Sequence, residues 1–504
     1  MGLIKKRDTH LVKIENTKVN NYFKKRGFDY KVNSNNINKI LIECLNKVNS
    51  ISIEENSIQL KLFFEYVIEN KIKINLNKKN EKEDYLINIV CRMGSNNELK
   101  LFIEYANKNN IILELNLKDW NGDYPLLWAC HTNNNKSIKL LIDYADKNNI
   151  ILELNEKDNE GSYPLLIMCE GYINIEIVQL FIEYANKNNI ILELNEKDNN
   201  EDYPLSLACD YNNIEMVQLL IEYSNKNNIT LELNEKNKHG YYPISLACYK
   251  NNIEMFQFLI DYANKNNIIL ELNKKDDNGF YPLLLACDKN NIEMVQLLID
   301  YANKNNIILE LNEKDDNGFY PLLLACDKNN TKIIQLLIDY SNKNNIILEL
   351  NEKNEYGNYP VSWGCIHNNI EMVQLLIEYA NKNNITLELN EKNKHGYYPI
   401  SLACSKNNIE MIKLLIEYAN KNNIILELNE KDKYGDYPLL LACDKNNTKI
   451  IQLLMDYANE YNVILELNEK NNNGNYPLLW SCINNNIEIV QLLMDYANEY
   501  NVIL

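Results

Sequence analysis

Ten prolines set the frame of this chain, and each follows a tyrosine: Pro125, Pro164, Pro204, Pro243, Pro282, Pro321, Pro360, Pro399, Pro438 and Pro477. Successive prolines lie 39 residues apart, except Pro164 and Pro204, which are 40 apart. A fixed period of this size marks stacked supersecondary units, each too small to bury a core alone. A chain of 504 residues would otherwise have to split into several compact domains. A stacked array instead extends one core along its length.

Residues 274–312 serve as the type unit. Asp276-Asp277-Asn278-Gly279 is a turn signal, with glycine supplying a positive φ. Pro282 suits the first turn of a helix, where its missing N–H costs nothing. Leu283 to Cys287 then read as a short apolar helix, too short to stand alone. Asp288-Lys289-Asn290-Asn291 breaks it, asparagine being able to take the left-handed conformation. From Ile292 to about Asn305 the spacing predicts a second helix, with Ile292, Val295, Leu298, Ile299 and Ala302 on one face. Ile307-Ile308-Leu309-Glu310-Leu311-Asn312 reads as an extended segment leading to the next turn. The composition leans heavily to Asn, Ile, Lys and Tyr. Such a bias can come from the genome as well as from physics, so single asparagines carry little weight at this point.

Tyr281-Pro282-Leu283-Leu284-Leu285-Ala286-Cys287 resembles the Thr-Pro-Leu-His-x-Ala-Ala signature of the ankyrin repeat. Ile292 to Ile299 is similar to that family's second helix, and Lys275 to Gly279 to its β-turn. The resemblance implies an all-α repeat solenoid of stacked helix-turn-helix units, joined by β-turns and extended loops and coiled into a curved superhelix. Three segments are expected: a basic and partly disordered 1–37, two degenerate repeats over 38–116, and ten repeats of about 39 residues over 117–504. The departures are specific. The family period is about 33 residues, so six are added here, between Ala302 and Leu311, and they should lengthen the second helix and the loop after it. Tyrosine replaces threonine and leucine replaces histidine in the signature, so the family's hydroxyl-to-imidazole contact has no counterpart. Asn290-Asn291 stands where the family has Gly-His. The one extra residue between Pro164 and Pro204 falls in the turn Glu170-Gly171-Tyr172-Ile173-Asn174, where an insertion costs least.

Charge and chemistry narrow the function. Residues 1–31 hold nine Lys/Arg against Asp8, Glu15 and Asp29, a surplus of +6, so the rest of the chain holds −24 of the net −18. An acidic body repels phosphate backbones, and no nucleic-acid partner is expected. Eleven of the twelve cysteines, Cys91 and then Cys130 to Cys482, occupy one register of the repeat. They read as small buried hydrophobes in a reducing, intracellular setting, cytoplasmic with the nucleus left open. No long apolar run marks a signal peptide or a membrane span. No phosphate loop, catalytic triad or paired carboxylates stand out, and repetition itself argues against an enzyme, which needs singular residues. No cofactor, metal or small-molecule substrate is expected. Cys365-Ile366-His367 reads as a buried cysteine followed by an exposed histidine rather than half a metal site, and His131 beside Cys130 is read the same way. The recurring row that includes Glu271, Glu310 and Glu349 reads as an outward position between buried leucines, balanced by lysines such as Lys275 and Lys314.

The expected function is a non-catalytic scaffold that binds protein partners; the family resemblance places such partners in the concave groove formed by hairpin tips and first helices. The positions that vary between repeats fall on these elements. Exposed aromatics there suit interface anchors: Trp120, His239, Tyr241, Phe280, Phe319, Tyr356, His395, Tyr397 and Tyr434. Trp128, Trp363 and Trp480 replace leucine on the short helix and read as core. Residues 225–248 and 381–404 are identical, so His239/Tyr241 and His395/Tyr397 form twin tips, four repeats or about 40 Å apart at one helix diameter per repeat. A partner with two similar epitopes would use both. The alternative is an adaptor that carries cargo to a membrane surface or enzyme complex through the basic segment 1–31.

Overall fold

In a computed structural model the residues described are 72–80, 84–171 and 174–502, with Leu41, Phe63, Phe64, Val67 and Ile68 besides. The basic segment 1–37 lies outside them, as does most of the first degenerate repeat. From Leu86–Arg92 and Asn96–Lys108 to Pro477–Ile483 and Ile487–Tyr500, short and long helices alternate without interruption. Among the described residues the only strand-like feature is an isolated bridge between Lys79 and Tyr85. The fold is the all-α solenoid of helix-turn-helix units. It divides into two compact units between Pro243 and Ile244, and each is described by itself.

The type repeat lies in the second unit. Its short helix, Pro282–Asp288, carries proline in the first turn and buries every residue from Pro282 to Cys287. Its long helix, Ile292–Asn305, buries Met294, Val295, Leu298, Ile299, Tyr301 and Ala302. Ile292 corrects the sequence reading: it is 37% exposed, because the helix begins there and its inward face starts two residues later. The asparagine pair between the helices divides the work. Asn290 takes a left-handed φ of 56°, which asparagine tolerates better than most residues. Asn291 caps the long helix, its side chain accepting from Met294 N–H, a contact worth about 1 kcal/mol. At the far end Asn306 is again left-handed, and Asn305 Nδ2 donates to the Tyr301 carbonyl at 2.9 Å. These asparagines are structural in repeat after repeat, whatever the compositional bias of the chain. The inserted residue acts locally: the helix Pro164–Cys169 stops one residue early, at the extended Glu170.

The six added residues lengthen the long helix to Asn305, as expected, and continue as an extended segment that joins no sheet. Its backbone groups are nonetheless met. Ile307 C=O accepts from the Tyr340 hydroxyl at 3.1 Å, and Leu309 N–H donates to the same oxygen at 3.0 Å. Ile308 C=O accepts from Asn273 Nδ2 at 2.7 Å, and Glu310 N–H donates to Asn273 Oδ1 at 3.1 Å. A tyrosine from the next repeat thus serves one edge and an asparagine from the preceding repeat serves the other. Side chains stand where neighbouring strands would in a β-sheet. The first unit repeats the pattern, with Tyr144 on Ile111 and Leu113 and Asn116 on Ile151 and Glu153. Leu309 and Leu311 point inward while Ile308 and Glu310 are exposed.

The tyrosine before each proline also differs from the threonine it replaces. Tyr281 makes no cap; it is fully buried, and its hydroxyl donates to the carbonyls of Glu310 and Glu313 at 3.0 and 3.1 Å. It ties the short helix to the extended segment that closes the same repeat. On the surface, Lys275 pairs with Glu313 of the next repeat at 2.7 Å, rather than with the recurring glutamate row it was expected to balance. Lys118–Glu156 and Lys392–Glu430 show the same spacing in each unit.

Candidate functional site

Each hairpin tip is a preformed loop. In the type repeat Asp276 Oδ1 accepts from the N–H groups of Asn278 and Phe280 at 2.9 and 2.8 Å. Asp276 N–H donates to Phe280 C=O at 2.8 Å and Gly279 N–H to Asp276 C=O at 3.1 Å. Gly279 is required: its φ is +83°, and a Cβ there would lie 2.9 Å from Asp315 Cα of the next tip. Neighbouring tips are also joined backbone to backbone. Lys394 N–H donates to Tyr356 C=O at 2.9 Å, Lys433 N–H to His395 C=O at 3.0 Å, and Asn472 N–H to Tyr434 C=O at 2.9 Å.

That row fixes where the candidate residues sit. Tyr356, His395 and Tyr434 occupy equivalent positions on three consecutive tips of the second unit, and all three are exposed. Tyr397 lies half-buried between the last two, its ring 6.3 Å from His395 and 6.5 Å from Tyr434. Lys433 Nζ stands 5.0 Å over the Tyr434 ring and contacts His395 Nδ1. Phe280 and Phe319 are half-buried at the position Tyr397 takes in its own repeat. In the first unit Trp120 is 65% exposed, and its carbonyl accepts from Asn159 Nδ2 at 3.2 Å. His239 and Tyr241 keep the ring geometry of their twins, 6.5 Å apart. The structure therefore groups Tyr356, His395, Tyr397 and Tyr434, and leaves Trp120 on its own.

The tryptophans of the short helices are half-buried rather than core. Trp128 donates to Asp119 Oδ2 at 2.8 Å with the Arg92 guanidinium 5.3 Å above its ring. Trp363 stacks on His367 at 5.5 Å, and its indole N–H is buried with no hydrogen-bond partner. His367 turns to the Asp327 carbonyl at 2.8 Å, away from Cys365.

His131 corrects the sequence reading. It is exposed at the end of its helix, as expected, but it stands between two carboxylates. His131 Nε2 lies 3.4 Å from Asp123 Oδ1 and 3.6 Å from Asp158 Oδ2. Burial opposes its charge, but Asp123 and Asp158 outweigh that and push its pKa up to about 9. Asp158 belongs to the next tip, 35 residues beyond Asp123. Only an overlay of one repeat on the next could have brought them together from sequence.

Ten of the repeat-register cysteines are buried, and among the described residues none is paired. Burial pushes the Cys365 and Cys443 thiols up to about 12, so they are inert. No helix among the described residues is long and apolar enough to cross a membrane.

Comparison with known proteins agrees with the geometry. The family model described as "Ankyrin repeats (3 copies)" matches residues 147–232, 229–308, 306–387, 384–464 and 422–503. The single "Ankyrin repeat" model matches 121–151. No curated protein sequence matches the chain. Similar solved structures include the ankyrin repeat domain of Bcl-3, described as a unique member of the IkappaB protein family. It is 19% identical with a TM-score of 0.36, over 50% of this chain and 98% of that one. Another is the ankyrin repeat protein EF0377, 20% identical with a TM-score of 0.34, over 45% of this chain and 98% of that one. The period, the helix pairs, the glycine-bearing tips and family matches that run through most of its length lead to one conclusion: the chain belongs to the ankyrin-repeat family.

Proposed function

We propose that this is a non-catalytic protein-binding scaffold whose main docking surface is the aromatic row Tyr356, His395, Tyr397 and Tyr434. The carrying observation is that exposed aromatics sit on tips held by tip-to-tip backbone hydrogen bonds. Such a surface loses little conformational entropy on binding, and tyrosine adds contact area with few rotors. Half-buried Phe280 and Phe319 extend the apolar strip along the second unit. The acidic balance outside residues 1–31 favours a protein partner over a nucleic acid. The test is affinity capture with the full chain, followed by calorimetry with each captured protein on Tyr434→Ala and Tyr397→Ala. Loss of binding with unchanged helicity supports the row; unchanged binding by both variants refutes it.

The twin tip at His239 and Tyr241 supplies a second contact for a partner with two like epitopes. Tyr241→Ala and Tyr397→Ala should then each lower avidity, and together lower it most. The adaptor role belongs to residues 1–31: their deletion should relocate the protein in cells and leave partner affinity intact. An intracellular setting accords with the unpaired cysteines, and thiol titration of the unfolded, unreduced protein should count close to all twelve. A count near zero would place it outside the cell.

A further inference from the structure

Three pairs of neighbouring tips share one pairing, of an acceptor with an amide. Two positions decide it: the residue two before each proline, and the first residue of the next tip. Asp202 Oδ1 accepts from Asn237 Nδ2 at 3.1 Å. Asn358 Oδ1 accepts from Asn393 Nδ2 at 2.9 Å, and Asp436 Oδ1 from Asn471 Nδ2 at 2.7 Å. In each case an acceptor faces an amide that can donate. At the same two positions in an earlier repeat, Asp123 faces Asp158, an acceptor against an acceptor. There the short helix Pro125–His131 ends in histidine, where the other three repeats have Asp210, Ile366 and Asp444.

The surroundings prepare one oxygen of each carboxylate for something else. Asp123 Oδ2 is taken by Asn121 Nδ2 at 2.7 Å. Asp158 Oδ1 is taken by the N–H groups of Glu160 and Ser162 at 2.9 and 2.8 Å. The remaining oxygens, Asp123 Oδ1 and Asp158 Oδ2, converge on His131 Nε2. Both aspartate side chains are 1% exposed, and Asp123 Oδ1 is buried with no hydrogen-bond partner. A buried carboxylate oxygen is costly unless an opposite charge meets it, and here His131 Nε2 stands at ion-pair distance. The three ligand atoms lie within 4.8 Å of one another. Bonds of about 2.0–2.1 Å to zinc place the ligand atoms of a tetrahedral site about 3.4 Å apart, close to the observed 3.4 and 3.6 Å from the imidazole nitrogen.

We propose that Asp123, His131 and Asp158 form a binding site for a divalent transition-metal ion, zinc being the simplest, which clamps one hairpin tip to the next. One imidazole and two carboxylates suit a borderline cation, and the side-chain and backbone donors behind each carboxylate orient it as supporting groups do in metal centres. His131, at the surface, leaves the fourth position open to water.

The test uses the full chain, washed with chelator. Zinc calorimetry and the visible spectrum with cobalt are recorded for wild type, His131→Ala and Asp158→Asn. The asparagine variant installs the acceptor-to-amide pairing already present at Asp202 and Asn237, so its tips have a built partner. The expected result is one equivalent of metal for wild type, a cobalt d–d band without thiolate charge transfer, and affinity weakened by more than about 100-fold in both variants, beyond what a supporting residue costs. Three results would overturn the proposal: no zinc uptake by wild type, uptake that persists in both variants, or a cobalt spectrum with thiolate bands. In the first case His131 is a protonated bridge between two carboxylates and nothing more.

Discussion

The two ends of a repeat are built under opposite rules. At the extended segment the same side chains return: the tyrosine of the long helix and the asparagine after the second leucine in copy after copy, and in most copies the lysine–glutamate pair. Each satisfies backbone groups or charges of a neighbouring repeat, so each is constrained by geometry that every copy shares. At the tip the backbone is just as constrained, through the Asx-type bonds of Asp276 and its equivalents and through glycines pressed against the next tip. Its outward side chains are not, and run from tryptophan to histidine to asparagine. Repeats therefore stack through one end and differ through the other. A change at the constant end should cost stability and spare binding, and a change at the tip should do the reverse.

The largest test is Tyr320→Ala. It removes a fully buried ring and its bond to the Glu349 carbonyl at 2.8 Å, and should cost about 3–5 kcal/mol. Stacked repeats need not unfold as one unit, so hydrogen exchange of residues 321–350 is the right readout; protection equal to wild type would break the comparison. Tyr340→Phe is a finer cut. It keeps the ring and strands the buried Leu309 N–H and the Ile307 carbonyl, for about 1–3 kcal/mol. A loss below the detection limit would mean that water replaces the hydroxyl, and that the side-chain edge of the extended segment is decorative. Tyr434→Ala probes the other end: stability should stay within about 0.5 kcal/mol of wild type, while partner binding weakens by about 1–2 kcal/mol. A destabilised protein with unaltered binding would reverse the assignment of the two ends. The smallest effect belongs to Lys314→Ala, which breaks an exposed pair with Glu352. Its cost should be under about 1 kcal/mol and vanish at high salt; a salt-independent loss would point instead to the packing of the lysine stem.

Much of this was readable in advance because repetition amplifies it. One copy of Tyr-Pro-Leu is a weak signal, whereas ten at constant spacing leave little choice but stacked helix pairs. The short helix from Pro282, the long helix ending at Asn305 and the turn at Gly279 followed from proline, apolar periodicity and glycine, which act locally. Misreadings arose where side-chain hydrogen bonds rather than apolar spacing fix a residue's role. Composition gives single asparagines little weight, yet Asn291 caps a helix and Asn273 replaces a strand edge. Tyr281, which makes no cap, reaches across its repeat to two carbonyls. Lys275 meets Glu313 of the next repeat and not the recurring glutamate row. The candidate site divides in the same way. That tips bear aromatics is plain from the sequence, but which rings meet depends on tip-to-tip bonds.

What the sequence determined alone, then, was the period, the helix pairs, the burial of the cysteine register and the family, all consequences of local propensity and of apolar spacing repeated ten times. What only the tertiary structure decided was every contact that spans about one period: the tyrosine and asparagine bonds that satisfy the extended segment, the grouping of Tyr356, His395, Tyr397 and Tyr434, and the meeting of His131 with Asp123 and Asp158. Those that cross between repeats join residues 27–41 positions apart through a specific stacking offset, and a one-dimensional pattern records the period of that stacking without recording which side chain it brings opposite which.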